Sequence, residues 1–234
     1  MLPPCVFVFD LDDTLYLERD YALSGFAAVG DWARAELRIA DFSERAGRLF
    51  ASGQRTRIFD AVLTQVGLAP DLERVGKMVE VFRNHRPALS LLPDVERFLG
   101  RCNAATRLGL ITDGYEAAQR NKVEALDLAG RGFDPIVITD VWGREFWKPH
   151  ARPYRTVAER HADARSQFVY IADNPAKDFI TPKAMGWVTI QAEREGGIHS
   201  PEPPSPAHAA HARIRTLDEL DEAVARSLPL VGLT

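Results

Sequence analysis

Two cysteines, Cys5 and Cys102, are too few for a disulfide framework. Both lie in or beside apolar runs and are read as buried thiols of a reducing compartment. No apolar run approaches the length of a membrane span. Met1-Leu2-Pro3-Pro4 lacks the basic start and cleavage site of a secretory leader, so the sequence places the protein in the cytoplasm. There is no basic block, and the formal net charge is -4, which leaves no electrostatic footprint for nucleic acid. His150, His161, His199, His208 and His211 show no metal-ligand spacing with Cys or Glu and are read as surface residues. The remainder is ordinary globular material: 234 residues, 46% hydrophobic and 26% charged, enough for one large domain or a core with a smaller insert. Nothing in this balance opposes a small phosphorylated ligand, which needs only a few local positive groups.

Cys5-Val6-Phe7-Val8-Phe9 is a short, continuous, β-rich apolar run that reads as a buried strand. Similar runs occupy Arg107 to Thr112, Pro135 to Thr139, Gln167 to Ala172 and Trp187 to Gln191. Helical patterns lie between them, over Tyr115 to Leu128, Tyr154 to Ala162 and Ala176 to Met185. Strands alternating with helices imply an α/β fold, a parallel sheet covered on both faces. Residues 17–87 break this alternation and read as helices over Tyr21 to Leu37, Ser43 to Ala51, Thr56 to Val66 and Asp71 to Asn84. The chain therefore divides into a core, 1–16 with 88–234, and an inserted all-helical cap, 17–87. Gly196 to Pro206 reads as a mobile surface loop or a tether. Thr216 to Leu228 reads as an amphipathic helix with Leu217, Leu220, Val224 and Leu228 on one face, which suits packing on the core or self-association.

The first run ends in Asp10-Leu11-Asp12-Asp13-Thr14. Residues two apart on an extended segment point the same way, so Asp10 and Asp12 face one site while Leu11 turns into the protein. A divalent cation offsets the repulsion between crowded carboxylates, and hard Mg²⁺ prefers oxygen ligands. One carboxylate can also attack while the other moves a proton. A helix cap or an acidic turn is the plainer use of any single Asp. The second run ends in Thr112-Asp113-Gly114, a hydroxyl followed by a turn whose backbone N–H groups can meet an anion. Lys148, fixed between Trp147 and Pro149, supplies a cation. The fourth run ends in Asp173, with Asp178 on the next turn as a helix cap, a salt-bridge partner of Lys148 or a supporting group. Ligands of parallel sheets bind beyond the carboxyl ends of the strands, where Asp10, Thr112 and Asp173 all sit. Three acids, a hydroxyl and a lysine converging there suit phosphoryl transfer.

Four ordered segments, Phe9 to Leu15, Ile111 to Gly114, Lys148-Pro149 and Ala172 to Asp178, resemble the haloacid dehalogenase (HAD) superfamily in its phosphatase branch. The resemblance implies a Rossmann-like core with a mobile helical cap after the first segment. It implies Asp10 as nucleophile and Asp12 as the acid that protonates the leaving oxygen and then activates water. It also implies Thr112, Lys148 and the Asp113-Gly114 turn around the phosphate, and Mg²⁺ on Asp10, the Asp12 carbonyl and Asp173, with Asp178 behind them. The founding dehalogenases lack the second acid of the first segment; Asp12 therefore favours phosphoester chemistry. Asp113 stands where Asn is frequent and Ala172 where Gly is frequent, and Asp113 is expected to add negative charge near the site. The stretch from Asp173 to Ile190 is similar to members assigned to sugar metabolism. Arg83 and His85, where the cap rejoins the core, are candidates for substrate contact, and a solvated polar hinge is the alternative. The expected function is Mg²⁺-dependent hydrolysis of a sugar phosphate or nucleotide monophosphate. The alternatives are a phosphoryl-transferring mutase and a non-catalytic phosphate-binding regulator.

Overall fold

Among the described residues, six parallel strands pair in the order β3-β2-β1-β4-β5-β6. The computed structural model describes residues 4–162 and 167–231. The strands are β1 (Cys5–Phe9), β2 (Arg107–Thr112), β3 (Phe133–Ile138), β4 (Gln167–Ala172), β5 (Val188–Ala192) and β6 (Ala212–Ile214). Phe9 of β1 lies opposite Leu110 on one side and Ile171 on the other, so the three strands end within two residues of one another. The connection direction reverses between β1 and β4, which opens the crevice where ligands of such sheets bind. Pro135 cannot donate to a ladder, and β3 accordingly occupies an edge. The sequence reading missed β6, whose three residues are too few to show alternation.

The helices of the core are α5 (Pro93–Arg101), α6 (Glu116–Ala125), α7 (Ala151–Arg160), α8 (Ile180–Ala184) and α9 (Leu220–Val231). Helix α5 was also missed, although Pro93 at its first turn is a start signal and Val95 and Phe98 bury one face. Helix α8 begins four residues later than expected because side chains take the backbone groups before it: Asn174 N–H donates to Asp178 Oδ2 (3.1 Å) and Ala176 N–H to Asn174 Oδ1 (3.0 Å). A capping box of Thr216 and Glu219 leads into α9. Leu217, Leu220 and Val224 are buried, and α9 packs on β5 and β6 of its own sheet.

The chain forms two units, one reaching Glu18 and resuming at Ser90, the other Arg19–Leu89. Both junctions lie two residues beyond the sequence boundaries. Glu18 N–H is held by Asp13 Oδ1 (2.8 Å) in the core, while Ala88 N–H donates to Ser24 Oγ (3.0 Å) in the helical unit. That unit contains α1 (Glu18–Leu37) after its first residue, α2 (Phe42–Ala51), α3 (Ile58–Gln65) and α4 (Leu72–Asn84). Its centre is Phe26, Val29, Phe42, Val62, Leu63 and Met78. A Cβ on Gly25 would stand 2.3 Å from the Phe82 ring, so only glycine lets α1 and α4 approach so closely. Among the described residues no helix is long and apolar enough to cross a membrane.

Several readings need correction. Segment 196–206 is tied down: Ile198 N–H donates to Asp13 Oδ2 (2.8 Å) and Gln191 Nε2 to the Pro201 carbonyl (2.8 Å). His161 is buried, with Nε2 2.9 Å from the Asp134 carbonyl oxygen, and burial lowers its pKa. Cys5 and Cys102 are half-buried free thiols.

Arg194, just after β5, reaches under the loop that follows β1. Its guanidinium donates to the Thr14 carbonyl (2.8 and 3.1 Å) and pairs with Asp94 (2.6 Å), both side chains being buried. Asp94 Oδ2 also accepts from Leu217 N–H (2.7 Å). Arg194→Ala strands a buried carboxylate and a buried carbonyl, and is expected to cost about 3–5 kcal/mol of stability. Urea melts check this; a midpoint within error of wild type would show the pair to be idle.

Candidate active site

Asp10 continues the β1 ladder by donating its N–H to the Ile171 carbonyl (2.9 Å), and so stands at the mouth of the crevice. Leu11 is buried, as the alternation requires. Asp13 turns the chain with φ 50°, a conformation Asp tolerates better than most residues. Its carboxylate closes the loop by accepting the N–H groups of Glu18 and Ile198.

Lys148 lies fully buried beside the nucleophile candidate. Its Nζ is 2.5 Å from Asp10 Oδ1, 2.9 Å from Asp178 Oδ1 and 3.2 Å from the Tyr170 hydroxyl. Burial pulls the lysine pKa down, but Asp10, Asp178 and Asp113 more than offset this and hold it well above its ordinary value. Burial raises Asp10 to about 6, with Lys148 opposing and Asp178 adding to the shift. Burial, then Asp10 and Asp178, push Asp173 up to about 9. Oxygens of Asp10, Asp173 and Asp178 all lie within 4.8 Å of one another.

Asp12 belongs to a second cluster that sequence reasoning did not foresee. Lys122 Nζ is 2.7 Å from its Oδ1, Gln119 Nε2 is 3.0 Å from its Oδ2, and the Tyr16 hydroxyl bonds Oδ1. Burial raises the Asp12 pKa, but the charge and hydrogen bond of Lys122, with Tyr16 and Gln119, more than offset it, so the net shift is downward. Glu18 faces the same region, and its burial, with the Asp12 charge, pushes its pKa to about 8.

Thr112 is buried at the end of β2, with its hydroxyl hydrogen-bonded to Gln119 Nε2. Gly114 has φ 128°, and a Cβ there would stand 3.1 Å from Gln119 Cδ, so the turn needs glycine. Glu116 N–H, at the start of α6, is taken by Asp140 Oδ2 (3.0 Å). The expected surplus charge of Asp113 is countered. Its carboxylate accepts from Lys148 N–H (3.1 Å), Thr139 Oγ1 (2.8 Å) and Lys177 Nζ (2.9 Å). Burial raises its pKa, but the two lysines bring the net shift below the usual range. Thus Thr112 ends β2, and Asp10, Asp12, Asp113, Gly114, Lys148, Asp173 and Asp178 sit on the loops after β1, β2, β3 and β4. Arg83 and His85 are in the other unit, where the His85 ring lies 2.6 Å from the Phe82 carbonyl oxygen and 3.2 Å from Ser24 Oγ. A cavity of about 730 Å³ opens beside Asp173, lined also by Asp13, Glu195, His199 and Arg215. A second hollow, about 650 Å³ and lined by Glu124, Pro135 and Trp142, contains none of these carboxylates.

Residues 7–192 match the family model described as haloacid dehalogenase-like hydrolase. The chain belongs to that family. Its HAD fold is shared with a 2-haloacid dehalogenase from Pseudomonas syringae pv. Tomato DC3000 at TM-score 0.62 and 24% identity, covering 97% of this chain and 99% of that one. A HAD-hydrolase from Bacillus subtilis, whose structure has magnesium bound, aligns at TM-score 0.63 and 18% identity over 95% and 98% of the two chains. In sequence, glyceraldehyde 3-phosphate phosphatase of Methanocaldococcus jannaschii is 27% identical over 192 residues, 79% of this chain and 82% of that protein.

The HAD hydrolase's acidic group suits a hard cation. Asp10, Asp173 and Asp178 offer oxygen donors only, close enough for one ion, and two of the three are buried. The carboxylate of Asp12 is not in this group; it is turned to Lys122.

Proposed function

We propose that this HAD hydrolase is a Mg²⁺-dependent phosphatase of small phosphomonoesters, working through a phosphoryl-Asp10 intermediate. The observation that carries the reading is the separation of the two carboxylates. Asp10 pairs with Lys148 beside the acidic group, while Asp12 pairs with Lys122. Two acids held in different environments can take different roles. A halide leaves without a proton, whereas an alkoxide needs an acid to leave, so the second carboxylate favours phosphoester cleavage.

In this reading Asp10 Oδ attacks phosphorus, and the bond to the ester oxygen breaks with its electron pair leaving on that oxygen. Asp12 gives the oxygen its proton. Water then attacks phosphorus and passes a proton to Asp12, and the bond to Asp10 breaks to restore the carboxylate. Having given its proton to the leaving oxygen, Asp12 is ionised when it accepts this one, and it returns to the acid form that opens the next cycle. Thr112 and Lys148 hold the non-bridging oxygens. The carboxylates of Asp10 and Asp173, the carbonyl of Asp12 and the supporting Asp178 would hold Mg²⁺, which supplies charge neutralisation for the transferring group. The cavity beside Asp173 has room for the leaving group. The free thiols suit a cytoplasmic setting. Arg83 and His85 remain candidates for substrate contact from the cap.

The test is phosphate release from glyceraldehyde 3-phosphate, hexose phosphates and nucleoside monophosphates, with Mg²⁺ and with chelator. The triose ester leads the panel because a relative is named for it. Release is expected with Mg²⁺, and chelator should lower it by at least about 10²-fold, since charge stabilisation of the transferring group is lost. No release from any member, together with halide release from 2-chloropropionate, would replace the reading with dehalogenation.

A further inference from the structure

Gln119 and Lys122 lie three residues apart on α6, so they share one face of that helix. Both are buried. An ammonium and an amide are taken out of water only where partners repay it. Here the partners are reaction groups: Lys122 Nζ meets Asp12 Oδ1 at 2.7 Å, and Gln119 Nε2 meets Asp12 Oδ2 at 3.0 Å. The same Gln119 nitrogen reaches the Asp113 carbonyl (2.9 Å) and the Thr112 hydroxyl. Gly114 is the residue that leaves room for this side chain.

We propose that Lys122 and Gln119 are positioning residues for proton transfer by Asp12, and that Gln119 locks this carboxylate in register with the Thr112 hydroxyl. The proposal rests on the phosphatase reading. Asp12 follows Asp10 by two residues, and its carboxylate could otherwise rotate toward the acidic group of Asp10, Asp173 and Asp178. Two donors from one rigid helix fix both of its oxygens away from that group. Helix α6 starts two residues after the Asp113-Gly114 turn, so the helix that follows the strand of Thr112 also holds the proton donor. A proton given to the ester oxygen must be aimed at a lone pair of that oxygen as the P–O bond breaks, and a misplaced acid forfeits most of its effect.

The experiment uses esters that differ in their need for that proton. An alkyl phosphate leaves as an alkoxide unless it is protonated. p-Nitrophenyl phosphate leaves as a stable phenolate without help. The variants are Lys122→Met, Lys122→Arg, Gln119→Leu and, as benchmark, Asp12→Asn. They are assayed on p-nitrophenyl phosphate and on the triose phosphate, hexose phosphate or nucleoside monophosphate that wild type cleaves fastest. Lys122→Met is expected to lower kcat/KM on the alkyl ester by about 10²-fold and on the aryl ester by less than about 5-fold, in the same pattern as Asp12→Asn. Lys122→Arg should recover part of the loss, and Gln119→Leu should show the same selectivity at smaller size. Equal losses on both esters, or a rise in KM with kcat unchanged, would overturn the proposal by making Lys122 a phosphate ligand. Variants that melt as wild type and lose nothing would overturn it also. Should Lys122→Met fail to fold, Gln119→Leu carries the same comparison. Wild type inert toward every ester would remove the phosphatase reading and the proposal together, which separates that failure from the others.

Discussion

Asp10→Asn is expected to lower phosphate release by about 10³-fold or more, because the attacking oxygen pair becomes a non-nucleophilic amide. The protein should survive the change. Burial already disfavours the charged form of Asp10, whose pKa stands at about 6, and Asp178 adds repulsion. Lys148 keeps Asp178 as its partner at 2.9 Å. The melting temperature in chelator should therefore hold or rise, so that lost activity cannot be blamed on lost fold. Acid-quenched wild type given a ³²P-labelled ester should carry label, and the variant should carry none. Phosphate release that persists in Asp10→Asn, or label that persists, would move the nucleophile elsewhere.

The same residues show which parts of this site were legible in sequence. Asp10, Thr112 and Asp173 are each the abrupt polar end of an apolar run, and a parallel sheet brings such ends together by topology alone. Asp178 was legible as a partner of Lys148 because it lies on the turn that follows Asp173. Lys122 and Gln119 were not. They stand in Gln119-Arg120-Asn121-Lys122, a stretch as polar as any solvated helix, and only the three-residue spacing on the face of Ala118 hinted at burial. Whether that face looks at β1 depends on the order β3-β2-β1, which pattern cannot supply. Asp113 was expected to add net negative charge, and Lys177, sixty-four positions later, counters it. Long-range pairing of this kind has no local signature. Helix α5 is the opposite case: Pro93, Val95 and Phe98 carried an ordinary start and stripe, hidden by brevity.

Lys148→Met tests the other half of the site, and its effect on stability should be as large as its effect on rate. The ammonium is fully buried between Asp10, Asp178 and the Tyr170 hydroxyl, and Tyr170 itself donates to Asp178 Oδ1 at 3.2 Å. Methionine fills the stem's volume but leaves two buried carboxylates facing each other. Removing one partner of such a group costs about 3–5 kcal/mol, since the remaining charge is stranded. On activity the loss should be on the order of 10² to 10³-fold, the scale for deleting one preorganised group that meets developing charge. A second substitution separates the two effects. Adding Asp178→Asn to Lys148→Met removes a stranded charge, so at least half of the lost stability should return in urea melts carried out in chelator. Activity should not return, because no cation then faces the transferring phosphoryl group. Non-additivity of this sign is the mark of residues that act as one unit. A double variant as unstable as the single one would mean that Lys148 supports the fold by packing alone. A double variant restored in rate would mean that the phosphoryl group is neutralised by another cation, with Lys177 the first to examine.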